Sequence, residues 1–291
     1  CDSKNLKLIL DLGKTPPGNN LKDNKIKLKN FPLQIFFCLD CSHSQLGHIV
    51  DPKFLFQKNY TYLSSISNEF VDHLRNYADL VIKKLKLKKN SIILDIGSND
   101  GTCLKFFKQK GMKVIGVDPA KNIASIANKK GIYTIPKFFN KKTTELISQK
   151  YKNVDLITSH NCLAHIDDLK SIFMNSYDIL SDRGCLIFEV GYFYQVIKNN
   201  WFDTIYHEHL DYHMFTPLYN FLLNNNFNVF DVEIVKPQGG SIRIYCKKKI
   251  NLDIKISSRV KKLIEKEKKL KINRVNYYYK FRDNLFRKKT L

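Results

Sequence analysis

From about residue 91 onward, short runs of β-branched and aliphatic residues alternate with longer stretches whose apolar positions recur every three or four residues. The runs are Ser91 to Ile96, Lys113 to Val117, Ile132 to Ile135, Val154 to Ser159 and Cys185 to Val190. This alternation predicts an α/β class: a doubly wound, mostly parallel sheet that binds ligands at the carboxyl ends of its strands. Two further strand-like runs, Asn228 to Val235 and Ser241 to Lys247, flank Pro237-Gln238-Gly239-Gly240 and predict an antiparallel hairpin closing the sheet. Between the fifth run and this hairpin lies an insertion, Gly191 to Pro217, dense in Tyr, His and Phe.

The flanks differ from this centre. Residues 1–85 combine a turn (Thr15-Pro16-Pro17-Gly18-Asn19-Asn20), two closely spaced cysteines and an aromatic-rich stretch, and read as a small, irregular module. Residues 86–250 form the sheet domain. Residues 251–291 are basic with helical spacing, carry too few apolar positions for a domain of their own, and read as the start of a truncated C-terminal domain. With 43% hydrophobic residues among 291, disorder is excluded for most of the chain.

Lys and Arg number 49 against 27 Asp and Glu, a formal charge of +22 that admits an anionic partner, whether nucleic acid or nucleotide diphosphate. Many of the lysines, however, lie in short runs that read as solvated faces. No stretch approaches the ~18–20 apolar residues of a membrane span and no signal peptide opens the chain, so a cytoplasmic protein is expected. Seven scattered cysteines fit reduced thiols or a metal site better than a disulfide framework.

Leu94-Asp95-Ile96-Gly97-Ser98-Asn99-Asp100-Gly101-Thr102 stands where the first strand of the sheet hands over to a helix. A dinucleotide fingerprint needs G-x-G-x-x-G, but Asn99 and Thr102 occupy its second and third glycine positions; no Lys-Ser/Thr pair follows Gly101 to make a Walker loop. An acidic residue at the strand end, a glycine two later and another four beyond resemble the first motif of class I S-adenosylmethionine-dependent methyltransferases. A carboxylate here suits a cationic cofactor: Asp95 can attract the ammonium of its methionine portion, and Asp118, ending Val114-Ile115-Gly116-Val117, can accept hydrogen bonds from both ribose hydroxyls. As purely structural residues, both would be turn or helix caps.

In the insertion, Phe202-Asp203-Thr204-Ile205-Tyr206-His207-Glu208-His209-Leu210-Asp211-Tyr212 packs several proton-exchanging groups into a few positions. It is not a zinc-protease helix, because position 211 is Asp where a second His is required. His207 and His209 could share a strand face and bind a metal, but no third ligand stands nearby; the plain alternative is a set of core aromatics with satisfied hydrogen bonds. Phe188-Glu189-Val190-Gly191-Tyr192, the Tyr206-His207-Glu208-His209 block, Gly239-Gly240-Ser241-Ile242-Arg243, Asn161-Cys162-Leu163-Ala164-His165-Ile166 and Tyr60-Thr61-Tyr62-Leu63-Ser64-Ser65 resemble the deoxysugar C-methyltransferases, which act on nucleotide-linked keto-sugars. Two positions depart from that family: Gly191 replaces the usual Pro, and Gln238 the usual His.

This resemblance implies a class I methyltransferase sheet with an N-terminal zinc-binding module, S-adenosylmethionine as cofactor, and Asp95, Gly97, Ser98, Asn99, Gly101, Asp118, Pro119 and Asn161 around it. It also implies a base that removes a proton beside a carbonyl, since carbon is otherwise a poor nucleophile toward a methyl sulfonium, with in-line methyl transfer to the enolate. His209 takes that role, with Tyr206 the alternative base or proton donor, Glu208 orienting its neighbours, and His165 and Tyr60 (or Tyr62) shaping the enolate pocket. Cys38-Leu39-Asp40-Cys41 is half of a tetrahedral zinc site, and Cys1 matches the last cysteine of the family's first pair. Three thiolates then remain, with His43 or water as fourth ligand and a structural role for the metal. Cys103, Cys162, Cys185 and Cys246 read as small buried hydrophobes.

Two other readings compete. A methyltransferase acting on RNA or another anionic substrate is favoured by the charge, but base-amino methylation calls for an Asn/Asp-Pro-Pro-aromatic clamp where this chain has Ser159-His160-Asn161-Cys162. The other is a cofactor-binding fragment lacking the rest of its substrate site. The sequence does not disclose an oligomeric state.

Overall fold

The structure, a computed structural model, describes residues 1–18, 29–57, 60–237, 239–251 and 254–289; Gln238 lies outside them. Strands β1 (Leu6–Thr15), β2 (Phe31–Cys38) and β3 (Ser44–Leu46) pair antiparallel in sequence order. The N-terminal module is therefore a regular sheet and not the irregular unit expected. Its strands were hard to read because β1 is polar on one face and its pairing shifts register twice, between Leu8 and Leu10 and between Asp11 and Lys14.

Helix α1 (Asn68–Leu85) follows, opened by the Ser67 side chain, which accepts from the Phe70 N–H, and closed by Lys86 in the left-handed region. The sheet domain then runs β4 (Ile92–Ile96), α2 (Thr102–Gln109), β5 (Lys113–Val117), α3 (Lys121–Lys129), β6 (Thr134–Ile135), α4 (Lys141–Lys150), β7 (Val154–His160), α5 (Leu169–Ile179), β8 (Leu180–Gly191) and α6 (Phe193–Asn199). After these come β9 (Asp211–Tyr212), α7 (Phe215–Asn224), β10 (Phe227–Val235), β11 (Ser241–Lys248), α8 (Ser258–Leu270) and α9 (Val275–Lys289).

The large sheet has the order β10-β11-β8-β7-β4-β5-β6. Its five central and edge strands β4 to β8 pair parallel, while β11 runs antiparallel to β8 and β10 to β11, as the Pro237–Gly240 hairpin required. Strand order reverses beside β4, which pairs in parallel with β5 on one side and β7 on the other, so a crevice opens at their carboxyl ends. Ile93, Leu94, Ile115, Leu156, Ile157 and Ile187 are fully buried, which is why these strands read as unbroken apolar runs.

Helix α1, within the stretch first assigned to the N-terminal module, sets Phe70, Leu74, Tyr77, Ala78 and Val81 against the sheet's Ile93 and Ile187 and against Leu104 and Phe107 of α2. The C-terminal helices have no separate core. Val260 and Leu263 of α8 join the main core, and Tyr278 of α9 lies between Phe37 of β2 and Phe193 of α6, with ring centroids at 4.8 and 5.9 Å. The fully buried Glu267 of α8 accepts from the Tyr192 hydroxyl (2.8 Å) and from the backbone N–H groups of Phe215 (2.8 Å) and Thr216 (2.6 Å). It thereby caps α7, whose own N-cap residue Met214 has no side chain able to do so.

Candidate active site

A cavity of about 1010 Å³ opens at the carboxyl ends of β4, β5 and β7. One wall is backbone. Gly97 has φ +71°, and a Cβ on it would stand 2.5 Å from Cys162 Sγ, so glycine is required there for both torsion and space. Gly101, at φ +77°, opens α2 and would press a Cβ to 2.9 Å from Ile132. Gly116, which the sequence did not single out, lets the turn lie down: a Cβ would meet Ser98 Oγ at 2.4 Å.

Asp118 is clamped at both carboxylate oxygens, by the N–H of Asn99 and of Ala120, each at 2.9 Å. Burial nevertheless outweighs these bonds and raises its pKa. Of the residues expected around the cofactor, Gly97, Asn99, Asp118, Pro119 and Asn161 line the cavity. Asp95, Ser98 and Gly101 stand behind that wall. Burial, then the charge of Asp118, hold Asp95 well above the usual carboxylate range, and its Oδ1 has no hydrogen-bond partner among the described residues. Ser98 Oγ and Asn161 Nδ2 are likewise buried without partners among the described residues. A glycine cradle, a clamped carboxylate and the Asn161 amide at the cavity fit a polar cofactor, and Gly97, Asn99, Asp118, Pro119 and Asn161 would hold S-adenosylmethionine, whereas Asp95, expected to attract its ammonium, does not line the cavity.

Asn99, left-handed at φ +50°, has a second task. Its side chain accepts from the Ser64 N–H (2.9 Å) and donates to the Tyr62 carbonyl (3.0 Å), while Asn122 donates to the Tyr60 carbonyl (2.9 Å). Residues 60–64 are thus strapped over the glycine turn, and both Tyr60 and Tyr62 reach the cavity.

The opposite wall comes from the Tyr/His insertion. Tyr206, Glu208, His209 and His165 all line the same cavity. His209 donates through Nδ1 to the Thr204 carbonyl (2.8 Å), which leaves Nε2 with a lone pair that accepts from the Tyr206 hydroxyl (3.0 Å). His165 donates through Nδ1 to the Glu208 carbonyl (2.7 Å), and its ring centroid is 5.0 Å from that of His209. Burial, reinforced by His165, lowers the His209 pKa to about 3, so the imidazole is neutral at ordinary pH. Burial and then the Glu208 charge push the phenols of Tyr206 and Tyr60 up, keeping both protonated. His207 turns away and bonds the Phe31 carbonyl (3.2 Å), so the sequence's option of a His207–His209 metal pair has no support in its position.

Cys162, expected as a core residue, instead lies at the cavity against Gly97, and burial raises its thiol to about 12. Beneath the floor, Glu189 is fully buried and takes Arg243 on one oxygen (2.6 Å) and His73 on the other (2.8 Å), with His160 at 3.4 Å. Donor atoms of His73, His160 and Glu189 lie within 4.8 Å of one another, as a metal would need. Arg243 already supplies the positive charge this carboxylate requires, so the group closes as an ion-pair network.

In the N-terminal module, the sulfurs of Cys1, Cys38 and Cys41 lie within 4.8 Å of one another, and Cys1 and Cys38 are 3.6 Å apart. Tetrahedral zinc with Zn–S of about 2.3 Å sets sulfurs roughly 3.8 Å apart, so the three thiols fit that ion. His43 does not complete the set. Its Nε2 is 2.6 Å from Asp211 Oδ1, where a buried carboxylate engages it.

Comparison with known proteins matches all three parts of the chain. Residues 1–56 match a zinc binding domain, residues 68–232 a methyltransferase domain and residues 236–290 a C-methyltransferase C-terminal domain. The chain is similar to the C-methyltransferase NovU of Streptomyces niveus, 33% identical over 240 residues that cover 81% of this chain and 57% of that protein. It is also similar to the phosphoethanolamine N-methyltransferase of Plasmodium falciparum (isolate 3D7), 26% identical over 42% of this chain and 47% of that protein. The chain thus spans about half the length of the curated relatives it matches. Among solved structures, the PH0226 protein from Pyrococcus horikoshii OT3 has the same fold, with a TM-score of 0.51 at 15% identity over 69% of this chain and all of that one. With its methyltransferase domain matched over more than half of its length, between the two modules that mark one group, the chain belongs to the C-methyltransferase family its motifs resemble, on a class I S-adenosylmethionine-dependent methyltransferase fold.

Proposed function

We propose that the chain methylates a carbon atom next to the carbonyl of a nucleotide-linked keto-deoxysugar. Bound S-adenosylmethionine would supply the methyl group. The observation that carries this reading is the Tyr206–His209 pair at 3.0 Å, set across one cavity from Gly97 and Asp118.

The substrate proton goes to His209 Nε2, the nitrogen left basic by the Nδ1 bond to Thr204. A neutral imidazole with a pKa near 3 is a weak base while the cavity holds no anion. An enolate forming beside it favours the imidazolium, so proton transfer and charge development assist each other. Tyr206, kept protonated by burial and by Glu208, donates to the enolate oxygen, and Tyr60 can do the same from the strap. His165 and Glu208 hold the loop, the first through its bond to the Glu208 carbonyl. The walled shape of the site favours a small molecule over RNA, and the +22 charge is carried outside this lining, in which Lys141 is joined by Asp118, Asp167, Asp168, Asp178, Asp203, Glu208 and Asp211.

The test is solvent deuterium exchange next to the ketone of a nucleotide-linked 4-keto sugar. Exchange is expected in the wild type, to be lost in His209→Ala and slowed in Tyr206→Phe. Wild-type rates in both variants would remove these residues from the reaction.

A further inference from the structure

We propose that the zinc-bearing hairpin is the frame that fixes His209 in place, with His43 and Asp211 as its positioning residues; this rests on the reading of His209 as the base. Residues 205–210 have no sheet or helix ladder of their own. Ordering such a stretch costs backbone entropy at every residue, so something outside it must hold it.

One set of fastenings comes from residues 164–165, where the Ala164 carbonyl accepts the Leu210 N–H (2.7 Å) and His165 donates to the Glu208 carbonyl, and the other set comes from residues 31–46. The Phe31 carbonyl takes His207, the Leu46 N–H donates to the Leu210 carbonyl (2.8 Å), and β3 pairs with β9 through Ser44–Tyr212 and Gln45–Asp211. His43 adds the side-chain bond to Asp211, whose carboxylate is 12% exposed and would be costly to bury without it. Cys38 and Cys41 belong to the same hairpin. The turn closes by Ser42 N–H to the Cys38 carbonyl (2.9 Å) and Cys38 N–H to the His43 carbonyl (2.8 Å), so an ion on the two thiolates pins the loop that presents His43. Two residues beyond His209, Asp211 also lines the cavity. A slack frame would therefore displace the base and leave the glycine wall, with Gly97 standing 112 residues before His209, untouched.

The test uses the full chain with zinc and reads amide hydrogen exchange by mass spectrometry beside cofactor affinity by calorimetry. In His43→Ala, exchange over 205–212 is expected to rise at least about tenfold while β4 and β5 keep their protection and cofactor affinity is unchanged. His43→Gln, which can still donate to Asp211, restores protection. Asp211→Asn keeps a neutral bond and falls between, which preserves the test should His43→Ala fail to fold. Chelating zinc from the wild type gives the same pattern, and chelation of His43→Ala adds little to it. With keto-sugar, kcat of His43→Ala drops about a hundredfold, the loss expected of a base displaced by about 1 Å. Unchanged exchange over 205–212 in both His43→Ala and the chelated protein overturns the proposal. Because exchange reports the backbone and not turnover, that result stands apart from any failure of His209 as base.

Discussion

The two walls of the cavity are made in different ways. The cofactor wall comes mainly from one continuous stretch, β4 through Pro119, joined by Asn161, and works mainly through backbone: two left-handed glycines, a close turn and a carboxylate held by two N–H groups. The facing wall is assembled from residues 31–46, 60–64, 163–166 and 204–212, and works through side chains whose partners lie far away in sequence. A backbone wall fails when atoms are added to it. A side-chain wall fails when atoms are removed, or when the modules that carry them come apart.

The largest expected separation of the two walls is in His209→Ala, which should lower methyl transfer about a thousandfold, the scale of a lost general base, while calorimetry finds cofactor affinity intact. Loss of affinity in that variant would merge the walls. Next is the floor they share. Glu189→Gln removes a charge that Arg243 and His73 both face, and should lower unfolding free energy by about 3 kcal/mol in a denaturant titration. The network holds Glu189 well below its usual pKa, although burial alone would raise it. Its stabilisation is thus present above the unfolded carboxylate pKa and is lost as pH falls through the folded value.

Gly97→Ala attacks the other wall. Forcing a side chain to φ +71° against Cys162 should weaken cofactor binding by about 2 kcal/mol and leave the Tyr206–His209 pair in place; Cys162→Gly in the same chain should recover part of the loss. Glu267→Gln weakens the cap of α7 and should cost about 1.5 kcal/mol of stability, read from the melting transition. Smallest per unit of pH is the effect on pH dependence. His209 takes up its proton near pH 6.5 when unfolded but only near 3 when folded, so between those values stability rises with pH, and is lost on acidification, by up to about 1.4 kcal/mol per unit. His209→Phe should show a shallower slope in that window; an equal slope would mean that the buried imidazole does not govern it.

The sheet was legible because strands covered on both faces must be apolar throughout, and the Pro237–Gly240 hairpin carried its own turn chemistry. Glycines and acids of the cofactor wall were readable for a similar reason: a tight turn restricts which residues can occupy it. The parts played by Gly116 and Cys162 were not readable, since each matters through one distant neighbour, Ser98 or Gly97. Strands β1 and β2 were hidden by an exposed face and register shifts, and β9, two residues long, exists only because β3 offers it an edge.

What the amino-acid order determined alone was therefore local: where strands alternate with helices, which turn admits a cofactor, which three thiols suit zinc, and which short block carries proton-transfer groups. Tertiary structure decided that His43 serves Asp211 and not the metal, that Glu267 caps a helix 52 residues away, and that the Tyr/His block faces the glycine turn across one cavity. The division follows from range. Torsional preference and hydrophobic period act over a few neighbouring residues and leave a pattern in the chain, whereas the partner of a buried polar group is chosen by whatever folding brings to within hydrogen-bond distance.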